Sequence, residues 1–277
     1  PTHGRNFAST CTNCSGRGTC TPSGVCQCDA GAFGVDCSIG ASAGSPVYSF
    51  VIHGGEGQVI TQEWFNALNA TTTEPYLHLR WCTTEDSWFG GIFNVAPDGM
   101  SPKSGSNADT WTFWVAPTGT VYVADWASTS PAKPDLDAQQ DLTVVNGWRN
   151  ATHQCAEFRR LYNTGDANDI VLSTTPGDLV RFMWTHGDES PSESRVERSK
   201  NGNVRTPQIP MHKYLGYTGQ FKVDFAAGTY EPLLSGVRWP YGYWFVLLLS
   251  LVCLLLPFGL ILQRDSVKVS RGGWWLR

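Results

Sequence analysis

Six of the nine cysteines, Cys11, Cys14, Cys20, Cys26, Cys28 and Cys37, lie within 27 residues. That density means a disulfide framework or a metal cluster. Zinc wants two separated C-x2-C pairs, and only Cys11/Cys14 has that spacing, with His3 the nearest imidazole. A disulfide framework is the better reading, and spacing alone leaves fifteen pairings open. Cys82 and Cys155 then form a bridge in an oxidising compartment or stay as two buried thiols. The bridge would stabilise by about 4 kcal/mol in the chain-entropy model. Cys253 falls in an apolar run and reads as an inert small residue.

Three sequons, at Asn13, Asn69 and Asn150, fit the secretory route. The chain has no G-x-S-x-G, H-E-x-x-H, P-loop or dinucleotide glycine motif. No catalytic residue is assigned, and the chain is expected not to be an enzyme.

The elements around these residues follow from composition and periodicity. Of 277 residues, 20 are basic and 24 acidic, for a formal net charge of −4. No basic cluster lies along the body, which excludes nucleic acid as a partner. Tyr243–Leu262 is 20 residues without a charge, fourteen of them Leu, Ile, Val or Phe. Such a run is long enough to cross a bilayer as one helix. Arg264, Lys268, Arg271 and Arg277 against Asp265 make the following tail positive, which places it in the cytoplasm and the N-terminus outside. The chain opens at Pro1 with a polar segment and no signal peptide, as expected of a processed form.

Between these ends, alternating aromatic-rich runs recur, at Tyr76–Cys82, Trp88–Val95, Thr110–Val115, Thr120–Asp125, Ala156–Leu161, Leu179–Thr185 and Gln220–Phe225. Pro117-Thr-Gly119 reads as a hairpin turn, and Asp188–Pro207 as a long polar loop. Many short strands at this spacing predict a β-sandwich.

Two families are recognisable. The spine Cys20-x5-Cys26-x-Cys28-x8-Cys37, with Gly16, Gly18, Gly31, Phe33 and Gly34, resembles an EGF-like module of the tenascin type. The resemblance implies the pairs Cys11–Cys20, Cys14–Cys26 and Cys28–Cys37. The segment Pro1–Thr10 has no acid, so the calcium-binding subtype is not expected. The blocks Gly105–Asp109, Val121–Asp125, Leu136–Asp141, Phe158–Arg160, Thr164–Asp169 and Phe182–Gly187 resemble a DOMON domain, the extracellular sandwich named for dopamine β-monooxygenase. The copper-binding catalytic domains of that family are absent, so its activity is not implied.

The monooxygenase branch of DOMON implies a hard-cation site, Ca or Na, on Asp109 and Asp141 with the carbonyls of Thr110 and Trp126. The redox branch implies haem b on Met100 and His212, in a cleft lined by Trp88, Phe89, Phe93 and Tyr214. The cation is favoured and the haem is not.

The expected fold class is mainly β, with a disulfide-rich EGF-like module, an immunoglobulin-like sandwich and one C-terminal transmembrane helix. The expected boundaries are 1–39 EGF-like module, 40–46 linker, 47–230 sandwich, 231–242 stalk, 243–262 transmembrane helix and 263–277 cytoplasmic tail. The expected role is a cell-surface or secretory-pathway interaction or ligand-binding protein, an accessory or anchoring subunit. Its partners would be membrane lipid and other extracellular or membrane proteins. Haem-based electron transfer is the alternative.

Overall fold

A computed structural model of the chain describes residues 4–6, 11, 13–40, 46–53, 58–69, 71–93, 108–128, 134–187, 189–210 and 219–233. Residues 41–45 of the expected 40–46 linker, most of the expected stalk (234–242), the run 243–262 and the expected tail 263–277 lie outside them. Among the described residues no helix is long and apolar enough to cross a membrane.

Two antiparallel sheets face each other. One runs in the order Gly4–Asn6, Thr120–Ser128, Ala108–Val115, Phe89–Phe93, Val180–His186, Gly219–Asp224, Thr229–Leu233, with Asp135–Leu136 paired beside Thr120–Ser128. The other runs Thr143–Arg149, Gln154–Leu161, Pro75–Thr83, Val59–Leu68, Tyr48–His53. Alternation decides what each strand buries. In Pro75–Thr83, the side chains of Leu77, Leu79 and Trp81 enter the core, while His78, Arg80 and Cys82 take the opposite face. Trp81 sits at the centre, its ring 5.2 Å from Phe158, 5.3 Å from Phe89 and 6.1 Å from both Trp111 and Phe182. Each such ring stabilises by roughly 1.5–3 kcal/mol through burial. The rings pass close over Gly91, where a Cβ would collide with Phe182 and Trp81.

The Pro117–Gly119 segment turns the chain between Ala108–Val115 and Thr120–Ser128, with Gly119 at φ 85° and its N–H 2.8 Å from Ala116 O. The segment expected as a polar loop is instead a hairpin, Ser192–Arg198 with Arg205–Gln208. Its apolar anchors are few. Val204 packs on Ala124 and Trp126, and the remaining strand residues are mostly exposed, which is why the sequence reads as loop.

Among the described residues four disulfides are formed. Cys11–Cys20, Cys14–Cys26 and Cys28–Cys37 hold the N-terminal module, in the pairing that the resemblance implies. Cys82–Cys155 joins residues directly opposite each other on neighbouring strands, with Cα atoms 4.1 Å apart.

The N-terminal module covers the outer face of the five-stranded sheet, the face that alternation would give to water. Phe33 is fully buried there, edge-on to Phe65 and His78 at 5.0 Å each. Val25 packs against Trp148 and Cys155. Beyond the far edge of the sandwich, Gly4–Asn6 pairs with Thr120–Tyr122, so the chain joins the eight-stranded sheet before it enters the module.

Candidate functional site

Two clusters of buried charged side chains stand out among the described residues. The first lies between the sheets. In the Ala108–Val115/Thr120–Ser128 pair, Asp109 stands opposite Ala127 and Trp111 opposite Asp125. Asp109 and Asp125 are therefore diagonal neighbours on the inward face. Arg160 reaches them from the other sheet, and Asp169 from the loop after it. Arg160 Nη2 is 3.0 Å from Asp109 Oδ2, 3.1 Å from Asp169 Oδ2 and 2.8 Å from the Ile170 carbonyl, and its guanidinium lies 5.1 Å over the Trp111 ring. The Ile170 N–H also donates to Asp109 Oδ2, at 3.3 Å.

One guanidinium faces three carboxyl groups, all of them buried from solvent. Asp109, Asp125 and Asp169 each offer an oxygen within 4.8 Å of the others. Both oxygens of Asp125 and Oδ1 of Asp109 find no hydrogen-bond donor. Burial pushes Asp109 up to about 7 against the pull of Arg160. Burial, then the charges of Asp109 and Asp169, push Asp125 well above the usual carboxylate range. Such a group balances its charge with protons or with a hard cation on carboxylate oxygens.

The structure joins Asp109 to Asp125 and Asp169; Asp141 is not one of the three. Its carboxylate takes the Gln139 amide at 3.0 and 3.2 Å, and it is half-buried, with burial raising it to about 6. The strand register, which the sequence does not display, is what puts Asp125 beside Asp109. Thr110 and Trp126 are directly opposite each other one position along, and the Trp126 indole donates to Thr112 Oγ1 at 2.8 Å. Asp125, Arg160 and Asp169 all stand in the motif blocks that carry the resemblance, and that placement was the available signal for them.

The rings expected to line a haem cleft are engaged in packing. Phe89 and Phe93 belong to the central core, and the Trp88 indole, packed near Trp114, donates to Pro210 O at 3.0 Å. Met100, His212 and Tyr214 lie outside the described residues.

The second charged group is a clamp under the N-terminal module. Glu63, Arg80 and Glu157 stand in one row across three strands. Glu157 Oε1 accepts from Arg80 Nε at 3.0 Å and Nη2 at 2.7 Å, and Glu63 Oε2 accepts from Nη1 at 2.9 Å. The same guanidinium donates to the Ala32 and Asp29 carbonyls of the module and lies 4.5 Å over the Phe33 ring. Glu157 Oε2 takes the Gly34 N–H at 2.7 Å. Asn146 donates its two amide hydrogens to Gly34 O at 2.9 Å and Cys26 O at 3.2 Å. Five backbone groups of the module, Cys26 O, Asp29 O, Ala32 O and both groups of Gly34, thus meet side chains of the sheet.

Family profiles match at two places, an EGF-like domain at residues 7–37 and a DOMON domain at residues 99–187. The chain carries an EGF-like domain followed by a DOMON domain. The carboxyl cluster thus belongs to the DOMON domain, and the clamp joins that domain to the EGF-like one. Among curated proteins, the chain is 33% identical over 76 residues to DBH-like monooxygenase protein 1 of Mus musculus, covering 27% of this chain and 12% of that protein. It is 29% identical over 121 residues to MOXD1 homolog 2 of Drosophila melanogaster, covering 43% and 14%. The alignments thus reach only about an eighth of these relatives' length. Among solved structures, the cytochrome b domain of pyranose dehydrogenase from Coprinopsis cinerea matches with a TM-score of 0.42 at 15% identity, over 61% of this chain and 78% of that one. A likeness that distant decides nothing about a haem here.

Proposed function

We propose that this chain is a non-catalytic extracellular interaction protein, anchored in a membrane through residues 243–262, whose EGF-like and DOMON domains act as one rigid surface. The observation that carries this is the Glu63–Arg80–Glu157 row. It spends buried charge on holding the EGF-like domain to the sandwich, and the aromatic core fills the space between the sheets. Buried charges are costly unless fully partnered. A face that meets that cost with matched partners serves to fix the geometry of two domains. The role that follows is an accessory or anchoring subunit, presenting that surface to other extracellular or membrane proteins. A cation held by Asp109, Asp125 and Asp169 would stiffen the other end of the sandwich.

The deciding experiment is an absorption spectrum of the full chain purified from its native source. A colourless protein is expected. A Soret band lost in Met100→Ala or His212→Ala would replace this function with electron transfer. Anchoring is tested separately, because the chain should stay with membranes through alkaline carbonate.

A further inference from the structure

The three sequons have different local geometry, and the difference bears on sugar attachment. Asn150 begins the exposed turn between Thr143–Arg149 and Gln154–Leu161. Its Oδ1 accepts three bonds, from the Thr152 N–H at 2.9 Å, the His153 N–H at 2.9 Å and the Thr152 hydroxyl at 3.1 Å. His153 Nδ1 lies 2.8 Å from that hydroxyl; as the N–H tautomer it donates to the oxygen and leaves the hydroxyl proton for Asn150. Donors on an amide oxygen draw electron density from the nitrogen and make its protons easier to lose. At Asn69, Oδ1 accepts two N–H groups, from Thr71 at 2.9 Å and Thr72 at 3.3 Å, and the residue is half-buried. At Asn13, Oδ1 accepts the Ser15 N–H at 3.1 Å, the intervening Cys14 is buried and bridged to Cys26, and Ser15 has φ 53°.

We infer that Asn150 is the principal N-glycosylation site of this chain, ahead of Asn69, with Asn13 least used. The turn at Asn150 is built from contacts within three residues, so its geometry does not depend on the packed sandwich. In the step, Asn150 Nδ2 attacks the anomeric carbon of an oligosaccharide carried on a lipid pyrophosphate. The N–C bond forms, the C–O bond breaks, the lipid pyrophosphate leaves with the electron pair, and a base of the transferase takes the amide proton. The sugar would displace a weak contact, Asn150 Nδ2 to Gln27 Oε1 at 3.4 Å, and lie along the seam between the domains.

This inference rests on the extracellular reading. Glycopeptide mass spectrometry of the full chain, secreted or displayed by a eukaryotic cell, tests it, with Asn150→Gln and Asn69→Gln as controls. Occupancy should fall in the order Asn150, Asn69, Asn13, and Asn150→Gln should remove the major glycan. An exported, disulfide-bonded chain with Asn150 bare, or with Asn13 fuller than Asn150, overturns the inference and leaves the extracellular reading standing. A chain that stays in the cytosol without sugar overturns both.

Discussion

Arg80 and Glu157 stand directly opposite each other on neighbouring strands, and two guanidinium nitrogens close on one carboxylate oxygen beneath the EGF-like domain. Arg80→Met leaves Glu157 and Glu63 buried without their cation. A loss of about 3–5 kcal/mol is expected, the usual cost of breaking a buried pair from one side. Denaturant melts of the full chain measure it. Glu157→Gln in the Arg80→Met background should recover part of the loss. If Arg80→Met melts like the wild type, the clamp does not hold the domains.

The Asp109–Asp125 pair predicts a pH dependence with a definite sign. Both carboxyls have folded values above the unfolded one, 3.8, with Asp109 at about 7. Between those values the folded chain holds protons that the unfolded chain has released, so stability falls as pH rises. For Asp109 alone the loss is on the order of 4 kcal/mol. The cation-free protein should therefore have a higher Tm at pH 5 than at pH 7.5. Bound calcium would cancel that slope, and a chelator should then lower Tm at pH 7.5 and leave it unchanged at pH 5. Thermal melts that are flat with pH and indifferent to chelator would contradict the cluster as described.

Gly91 is predicted to be irreplaceable by even one carbon. An Ala there drives its Cβ into Phe182 and Trp81, both held by rings on every side. Overpacking of that kind costs typically 1–3 kcal/mol. Gly91→Ala should lower Tm by several degrees, and an unchanged melting curve would mean that the rings pack otherwise.

Reduction should release the EGF-like domain before the sandwich melts, because its buried apolar side chains are chiefly its own half-cystines. Near-ultraviolet dichroism of the sandwich tryptophans, followed against thiol concentration, should show the core persisting after Cys11–Cys37 peptides turn thiol-positive.

The strands visible in the sequence were those whose residue types themselves alternate between large apolar and smaller or polar side chains. Pro75–Thr83, Ala108–Val115 and Gln154–Leu161 each contain a run that the alternating pattern marks. Val59–Leu68 and Thr143–Arg149 were not marked, and the module explains part of that. Glu63 and Asn146 are polar residues that it buries, which breaks the rule relating polarity to exposure. Asn146-Gly147 is also a strong turn signal, yet it lies inside a strand beside a bulge, where a Cβ on residue 147 would press on Val121 and the Cys155 carbonyl. The carboxyl cluster was legible to the level of Asp109 and the motif blocks. Its other members depend on which residues face inward across a strand pair, and that information is held in register and not in spacing.

The short strand Gly4–Asn6 changes what it means to cut this chain. The polypeptide is stitched to the eight-stranded sheet, passes out through the EGF-like domain, and returns on the edge strand Tyr48–His53 of the five-stranded sheet. The small domain is thus a strap buckled at both ends. One nick in residues 41–45 leaves it fastened by the upstream strand and by the Arg80 row, and one nick in residues 7–10 leaves it fastened by the chain that follows. A protease has to cut on both sides, and the clamp has to open as well, before the domain can be shed.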